Sequence, residues 1–162
     1  GMPNAGKSSL LSVITNANPK IANYQFTTIN PNLGVASYDD KEFTIADIPG
    51  LVEGAHKGTG LGIQFLKHIE RCKSLLHMID ITNSDIKKDY NQIKKELKKY
   101  NSKLVKKKEL VVLNKTDLID KKEVKKILEE FSKSTKSEVI TLSTFERSSI
   151  SKIKAKLITY AS

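Results

Sequence analysis

The chain has 162 residues, enough for one domain with a buried core. It is 38% hydrophobic and 28% charged, which is typical of a folded globular protein and excludes a disordered one. No apolar run approaches the ~20 residues needed to cross a bilayer. Cys72 is the single cysteine, so an internal disulfide is excluded, which fits a reducing cytoplasm. We also expect a monomer.

Charged residues, glycines and prolines are distributed unevenly along the chain. Residues 1–80 carry 7 Lys and Arg and 7 Asp and Glu, whereas residues 81–162 carry 21 and 11, which accounts for the whole net charge of +10. All 8 glycines and all 4 prolines lie at or before Gly62. The first part is therefore expected to hold a ligand site, and the second to be regular helix and strand with a lysine-rich surface.

Residues 1–8, Gly-Met-Pro-Asn-Ala-Gly-Lys-Ser, have the spacing of a phosphate-binding P-loop. Glycines at both ends allow successive backbone N–H groups to converge on phosphate oxygens, and the helix that follows points its positive end at the same place. Lys7 is expected to reach the β- and γ-phosphates and the Ser8 hydroxyl to bind Mg²⁺. The alternative is a glycine-rich turn before an ordinary helix. The predicted nucleotide contacts of this loop are Gly1, Asn4, Ala5, Gly6, Lys7, Ser8 and Ser9.

A P-loop normally follows a buried strand, and no residue precedes Gly1 in this sequence. We therefore expect a piece of a longer protein. The strand entering Gly1 would lie between the strands that end at Asp47 and Asp80. That central position is predicted to be empty or filled by another segment, with the two flanking strands not hydrogen-bonded to each other.

The first helix is predicted from Lys7 to about Asn16, with Leu10, Leu11 and Ile14 on its buried side. The loop that follows contains two adjacent threonines about twenty residues after the P-loop. Such a loop suits a switch I segment, in which a threonine completes the Mg²⁺ shell and its backbone senses the γ-phosphate. A β-prone surface loop is the alternative.

Residues 33–38 and 42–48 alternate as strands around a turn at 39–41, and the second strand leads into Asp47-Ile-Pro-Gly50. Asp47 can hold Mg²⁺ through a water, and the Gly50 N–H can bond the γ-phosphate. From Gly50 to Gly62 five of thirteen residues are glycine, which suits a mobile switch II region. A flexible linker is less consistent with the apolar residues in this segment.

The second half predicts helices at 63–71, 85–100, 121–133 and 149–160 and strands at 74–80, 109–113 and 139–142. In the helix at 85–100, Ile86, Tyr90, Ile93 and Leu97 form the buried stripe. Lysines occupy its other faces, among them Lys94, Lys95, Lys98 and Lys99. They indicate a solvated surface or a nucleic-acid patch, although no aromatic interleaving supports single-strand binding.

The strand at 109–113 leads into Asn114-Lys115-Thr116-Asp117. An aspartate there can accept both the N1–H and the 2-amino protons of guanine, which adenine lacks. The Lys115 stem can cover the base plane, and Asn114 can tie this loop to the P-loop. Ser143 and Thr144 stand where a second base-contacting loop would lie. Strands alternating with helices predict an α/β fold with a mainly parallel, doubly wound sheet, helices on both faces and ligands at the strand C-terminal ends.

Together these segments resemble the GTP-binding domain of the Obg family. The resemblance is dense over residues 1–80, where it runs through segments 1–10, 24–28, 31–34, 47–55, 58–62 and 65–71. Beyond Asp80, the base-recognition motif and the order of elements support it. The resemblance predicts that residues 1–162 are one GTP-binding domain, lacking the strand before the P-loop and the glycine-rich and further domains that flank it in the family.

The resemblance implies a slow GTPase that cycles with the large ribosomal subunit and aids its assembly. Carried over to this chain, the Mg²⁺ pair would be Ser8 and Thr28, with Asp47 behind. Thr144 stands where the family has a smaller residue, which would weaken guanine affinity slightly. The competing interpretation is an rRNA-binding module, supported by the lysine-rich second half, in which nucleotide is structural. Asp117 excludes an ATPase.

Catalysis is predicted to involve Lys7, Thr28 and Gly50. Position 51, just after the switch II glycine, is leucine, which cannot orient an attacking water, so intrinsic hydrolysis should be slow. Asn4 is one candidate for supplying help, as a ligand of K⁺ beside the phosphates, and its alternative role is to shape the loop. Glu53, His56 or a group from the ribosome are the other candidates.

Overall fold

The computed structural model describes residues 1–15, 20–21, 32–47, 67 and 69–162. Helix α1 spans Lys7–Ile14, with Leu10, Leu11 and Ile14 buried as predicted. It ends before the predicted Asn16 because Thr15 already has extended backbone angles. Among the described residues, no helix is both long enough and apolar enough to span a bilayer.

Three strands form an antiparallel sheet beside α1. They are β1 (Lys20–Ile21), β2 (Asn32–Tyr38) and β3 (Lys41–Asp47), in the order β1-β2-β3. The predicted turn joins β2 and β3, and Asp39 and Asp40 take φ of 51° and 57° in it, the left-handed angles that a two-residue hairpin turn requires. The two-residue β1 was not predicted from the sequence.

The rest of the chain alternates strand and helix around a parallel sheet. Its strands β4 (Ser74–Asp80), β5 (Lys108–Asn114) and β6 (Glu138–Leu142) lie in that order. The connecting helices are α2 (Ile86–Tyr100), α3 (Lys121–Ser132) and α4 (Arg147–Ala161), with short 3₁₀ turns at Leu104–Lys106 and Thr116–Leu118. Residues 67 and 69–71 are helical, in agreement with the predicted helix at 63–71, whose other residues lie outside the described part. The predicted elements beyond residue 73 are thus confirmed, with ends shifted by one or two residues.

The parallel sheet is covered on both faces, as the predicted doubly wound fold requires. On one face Ile79, Val111 and Leu113 pack with Phe131 of α3 and with the apolar stripe of α2. On the other face a second cluster joins the sheet to α1, α4 and the β2–β3 hairpin through Met78, Leu110, Val112, Ile14, Ala36, Phe43, Ile153 and Leu157. Each large apolar side chain buried in this way contributes about 1.5–3 kcal/mol. The two layers hold the strand C-terminal ends at one edge.

β3 and β4 are not hydrogen-bonded to each other, as the predicted topology requires. A cavity of about 790 Å³ separates them, lined by residues 41–47 of β3 and 74–78 of β4 together with residues of α1, α2 and α4. Gly1 lies at this place. Gly1 is pressed so closely to β4 that a Cβ would lie 2.1 Å from the Met78 carbonyl oxygen.

A buried polar cluster that the sequence did not reveal lies between the parallel sheet and α2. Glu109 of β5 accepts hydrogen bonds from Lys94 (2.9 Å), Ser137 (2.8 Å) and Tyr90 (3.2 Å), and His77 Nδ1 lies 3.2 Å from its other oxygen. These bonds hold the pKa of Glu109 at about 2 although burial alone would raise it. Burial lowers the pKa of His77 to about 4. His77 Nε2 has no partner within the described part of the chain.

The cavity between β3 and β4 generates a stability prediction. A segment of five β-branched residues placed before Gly1 should enter it as a strand, pair with the free edges of β3 and β4, and raise the melting temperature by roughly 5 °C. A Gly-Ser extension of equal length is the matched control, because it removes the same terminal charge without strand propensity. Equal melting temperatures for the two extended chains, measured by calorimetry, would contradict the prediction.

His77 generates a prediction about pH. The imidazole of His77 is protonated near pH 6.5 in the unfolded chain but only near pH 4 in the folded chain. Its contribution to the free energy of unfolding is therefore complete above pH 6.5 and is lost as the pH falls toward 4. The loss amounts to about 3 kcal/mol. Urea unfolding at pH 7, 6, 5 and 4.5 should show a steeper fall in stability for the native chain than for His77→Phe, which keeps a ring beside Tyr90. Subtracting the two profiles removes the contributions of the titrating groups that the two chains share, and parallel profiles would refute the role of His77.

Candidate nucleotide-binding site

The P-loop segment forms a tight turn at the N-terminus of α1. Asn4 takes φ of 63° and Gly6 takes φ of 94°, so the chain twice enters the left-handed region within three residues. Such alternation directs successive N–H groups toward one concave side, which is the geometry that binds phosphate. A Cβ at Gly6 would lie 2.2 Å from Asn114 Nδ2, so glycine is required there by space as well as by backbone angle. Ala5 between them is 1% exposed and anchors the turn in the core.

Lys7 curls back over the loop that it follows. Its ammonium group donates to the carbonyl oxygens of Met2 (2.9 Å) and Gly1 (3.2 Å). Burial lowers the pKa of Lys7, while the charge of Asp47 acts in the opposite direction. The arrangement places one cation above the mouth of the phosphate loop, where an anion on the backbone N–H groups would meet it.

Ser8 and Asp47 come from distant parts of the sequence and meet at the edge of this loop. The Ser8 hydroxyl donates to Asp47 Oδ2 at 2.5 Å. Asp47 is 7% exposed, and its other oxygen, Oδ1, is buried without a partner in the described part of the chain. A hydroxyl and an under-satisfied carboxylate are hard oxygen donors of the kind that Mg²⁺ accepts alongside phosphate and water. The residues therefore fit the predicted metal, although the described residues contain no group of three or more His, Cys, Asp or Glu arranged around an ion.

Asn114, at the end of β5, joins the base-side loop to the P-loop. Its side-chain N–H donates to the Ala5 carbonyl at 3.0 Å, and the residue is 1% exposed. This is the link between the two motifs that the sequence predicts. It fixes the position of two loops that are 109 residues apart in the chain.

Lys115 follows in the left-handed conformation, with φ of 70°. Its ammonium forms an ion pair with Asp80 at 2.5 Å, and Asp80 also accepts from the backbone N–H (3.0 Å) and hydroxyl (2.7 Å) of Thr82. Burial alone would raise the pKa of Asp80, but these bonds lower it. The ends of β4 and β5 are thereby locked together, and the Lys115 stem is held at the rim where a base would lie.

Asp117 is positioned by Ser143, a contact that the sequence did not specify. The Ser143 hydroxyl donates to Asp117 Oδ1 at 2.7 Å, and Ser143 is fully buried. Backbone N–H donation from Phe145 to the Ser143 hydroxyl (3.3 Å) and from Ser143 to the Ser149 hydroxyl (3.2 Å) holds the loop after β6. The second oxygen of Asp117 is left for other donors. The position of Ser143 directly after a predicted strand was the one sequence signal of this role.

The structure thus brings two groups of predicted site residues to one edge of the fold. The phosphate-side group is Gly1, Asn4, Ala5, Gly6, Lys7, Ser8, Ser9 and Asp47, and the base-side group is Asn114, Lys115, Asp117, Ser143 and Thr144. The predicted switch residues Thr28, Gly50, Leu51, Glu53 and His56 lie outside the described residues.

Comparison with known proteins gives a family match. Residues 1–115 match the family model described as 50S ribosome-binding GTPase. The chain is 69% identical to the GTPase Obg of Pelagibacter ubique over 162 residues, covering all of this chain and 50% of that protein. It is 52% identical to the GTPase Obg of Rickettsia felis over 153 residues, covering 94% of this chain and 46% of that protein. The chain therefore spans about half the length of these relatives.

Solved structures show the same fold at low sequence identity. The chain is similar to the G domain of the Thermotoga maritima FeoB iron transporter, with a TM-score of 0.74 and 21% identity, covering 100% of this chain and 95% of that one. It is also similar to the cytosolic domain of that transporter in its GMPPNP form, with a TM-score of 0.77, 20% identity and coverage of 99% and 61%. At this identity the likeness establishes the P-loop GTPase fold alone.

Proposed function

The chain belongs to the Obg family of GTPases, and from this premise we propose that it binds GTP and GDP and hydrolyses GTP to GDP and phosphate. The observation that supports the proposal best is the Asn114–Ala5 hydrogen bond. It joins the phosphate-binding loop and the base-binding loop into a single site. A guanine bound against Asp117 would place its phosphates on the amides of the P-loop. We further propose that residues 1–162 act as a single GTP-binding domain.

The residues of the phosphate loop do the binding and part of the catalysis. The loop amides and Lys7 hold the β- and γ-phosphates and neutralise charge that shifts toward the leaving oxygen as the bond breaks. Ser8 and Thr28, with Asp47 behind, would hold Mg²⁺, which would supply further positive charge for the reaction. Thr28 and the Gly50 N–H are proposed to sense the γ-phosphate and to release their loops when it leaves.

Hydrolysis by the isolated chain should be slow because Leu51 follows the switch II glycine. A leucine side chain offers no hydrogen bond to the attacking water. Polar assistance then comes from K⁺ bound near Asn4, from Glu53 or His56, or from a partner. Slow GTP hydrolysis is compatible with a conformational switch, since the switch acts through the lifetime of its GTP-bound state.

The proposed partner is the large ribosomal subunit, with a role in its assembly in the cytoplasm. The description of the matching family model supports this partner, and so does the net charge of +10, since ribosomal surfaces are rich in phosphate. A second candidate function is an RNA-binding module in which nucleotide is structural. The concentration of positive charge in residues 81–162 favours it.

Two measurements test these functions. Single-turnover phosphate release from GTP by the chain, extended before Gly1 by five β-branched residues as above, should exceed release by the same extended chain carrying Lys7→Ala. Co-sedimentation of the full-length protein with large ribosomal subunits should depend on whether GTP, GDP or no nucleotide is present. Nucleotide-independent co-sedimentation without hydrolysis would favour the RNA-binding module instead.

Guanine selectivity should rest on Asp117. We expect ATP to bind roughly 10⁴-fold more weakly than GTP, because adenine cannot donate to this carboxylate and would leave it unpaired. Asp117→Ala should abolish the preference by weakening GTP. Calorimetric titration measures both affinities, and Asp120→Ala, three residues along on the exposed cap of α3, is the matched control. Comparable GTP and ATP affinities in the native chain would refute the proposed role of Asp117 in guanine selectivity.

The role of Asn4 is tested by monovalent ions. If Asn4 binds K⁺ beside the phosphates, hydrolysis in KCl should be faster than in NaCl at equal ionic strength, because the ion adds positive charge as the transition state forms. Asn4→Ala should remove the difference while preserving GDP binding. The protein for this assay should carry the five-residue β-branched extension before Gly1 that is described above. Equal rates in the two salts would refute the K⁺ role and leave Asn4 as a loop-shaping residue.

A further inference from the structure

Most of the excess positive charge lies at the end of the sheet opposite the nucleotide site. Four segments meet there, residues 69–74, 98–109, 132–138 and 156–162, which we call the basic pole. They carry 11 Lys and Arg (Arg71, Lys73, Lys98, Lys99, Lys103, Lys106, Lys107, Lys108, Lys133, Lys136 and Lys156) and 3 Glu (Glu70, Glu109 and Glu138), a net of +8 against +10 for the whole chain. These 32 residues thus hold most of the net charge in a fifth of the length.

The pole is one connected surface, because side-chain bonds link its segments. Lys107 donates to the Glu70 carbonyl at 2.9 Å, and Lys73 donates to the last carbonyls of α4 at 3.3 Å. Lys108 donates to the Thr159 carbonyl at 2.8 Å and lies 4.3 Å from the centre of the Tyr160 ring. Three of its lysines therefore act as caps of helix C-termini, where carbonyl groups accept and the helix dipole is negative.

Five other lysines of the pole have no such role. Lys98, Lys103, Lys106, Lys133 and Lys136 are exposed, and none of their ammonium groups forms a hydrogen bond or ion pair with the described residues. The pole's carboxylates are engaged elsewhere: Glu109 is buried with Lys94 and Ser137, Glu138 pairs with Lys156, and Glu70 accepts from Asn101. Five like charges without counter-charges repel one another, and an external polyanion would remove that repulsion.

The chemistry of the pole points to a phosphate backbone rather than to an apolar partner. The exposed large hydrophobic residues of the described chain are Val13, Val35, Leu118 and Phe145, and none lies in the pole. A protein partner usually requires an apolar or aromatic anchor, and stable attachment to a membrane takes an inserted apolar group in addition to a basic patch. Single-stranded RNA requires stacking platforms, but of the pole's two aromatic residues Tyr100 packs against a buried apolar cluster and the Tyr160 ring is covered by Lys108. Duplex RNA is recognised through its regularly spaced phosphates and needs neither.

We propose that the basic pole is a docking surface for the phosphate backbone of duplex RNA, with Lys98, Lys103, Lys106, Lys133 and Lys136 as its contacts. The choice of RNA rests on the proposed function, whose partner is a ribosomal subunit. Because the pole and the nucleotide site occupy opposite ends of the parallel strands, both can be engaged at once. RNA would hold the domain by one end while the nucleotide-dependent loops at the other end remain free to change.

The test uses a fluorescent 20-base-pair RNA duplex and anisotropy titrations over a range of KCl concentrations. A pole variant changes the five lysines to Gln. A control variant changes five exposed lysines in the N-terminal halves of α2 and α3, away from the pole, to Gln: Lys87, Lys88, Lys121, Lys122 and Lys125. Both variants lose the same total charge. The pole variant should bind at least tenfold more weakly and with a salt slope shallower by several units, since each phosphate contact contributes about 0.9 to the slope on duplex DNA.

The control variant should stay within about threefold of the native chain at 150 mM salt, because charges beyond a Debye length are screened. Lysine-to-arginine changes at the same five pole positions should preserve binding. Equal loss in the pole and control variants would overturn the proposal in favour of unspecific charge attraction. Pole-dependent binding to anionic phospholipid vesicles or polyglutamate, without RNA binding, would also overturn it. GDP affinity is titrated separately, so a failure of the proposed GTPase function would appear there and leave the RNA result interpretable.

Discussion

The hydrogen bond from Asn114 to the Ala5 carbonyl is the contact on which the candidate site depends. It is buried, it joins residues 109 positions apart, and it passes through the space that a side chain at residue 6 would occupy. The Asn114 side chain can therefore make this bond only because residue 6 is a glycine. Leaving the Ala5 carbonyl without a donor would cost about 1–3 kcal/mol and would free the two loops to move independently. A guanine nucleotide needs both loops within a limited separation, because its base and its phosphates are covalently joined through the ribose.

Around that contact, the same edge of the fold is tightened by short ionic and hydroxyl contacts. Lys115 locks the ends of β4 and β5 through Asp80, Ser143 locks the loop after β6 onto Asp117, and Ser8 locks α1 onto the end of β3. Each of these contacts uses a residue that also has a predicted nucleotide or metal contact. Pre-organisation of this kind lowers the ordering entropy that ligand binding must overcome.

The opposite end of the parallel sheet is built differently. There Glu109 gathers Lys94, Ser137, Tyr90 and His77 into a buried cluster that joins β4, β5, α2 and the segment before β6. Removing one partner would leave the buried Glu109 charge under-compensated, so the cluster favours one arrangement of these elements. Outside it lies the lysine-rich surface. The molecule therefore has a glycine-rich nucleotide end and a cationic end, held apart by a rigid apolar layer.

The sequence by itself determined the local features of this protein. Period-3.6 stripes located α2 and α3, apolar runs located β4 and β5, and the spacing of Gly1, Gly6 and Lys7 identified the phosphate loop, because each pattern follows from backbone geometry over a few residues. Only the tertiary structure decided which distant residues meet. Nothing near Ser143 in the sequence specifies Asp117 as its acceptor, and the acidic Glu109 stands at the start of an apolar run without revealing its four partners. The collection of scattered lysines into one pole depends in the same way on where three helices end. Such contacts are set by the packing of the whole sheet, which local sequence does not encode.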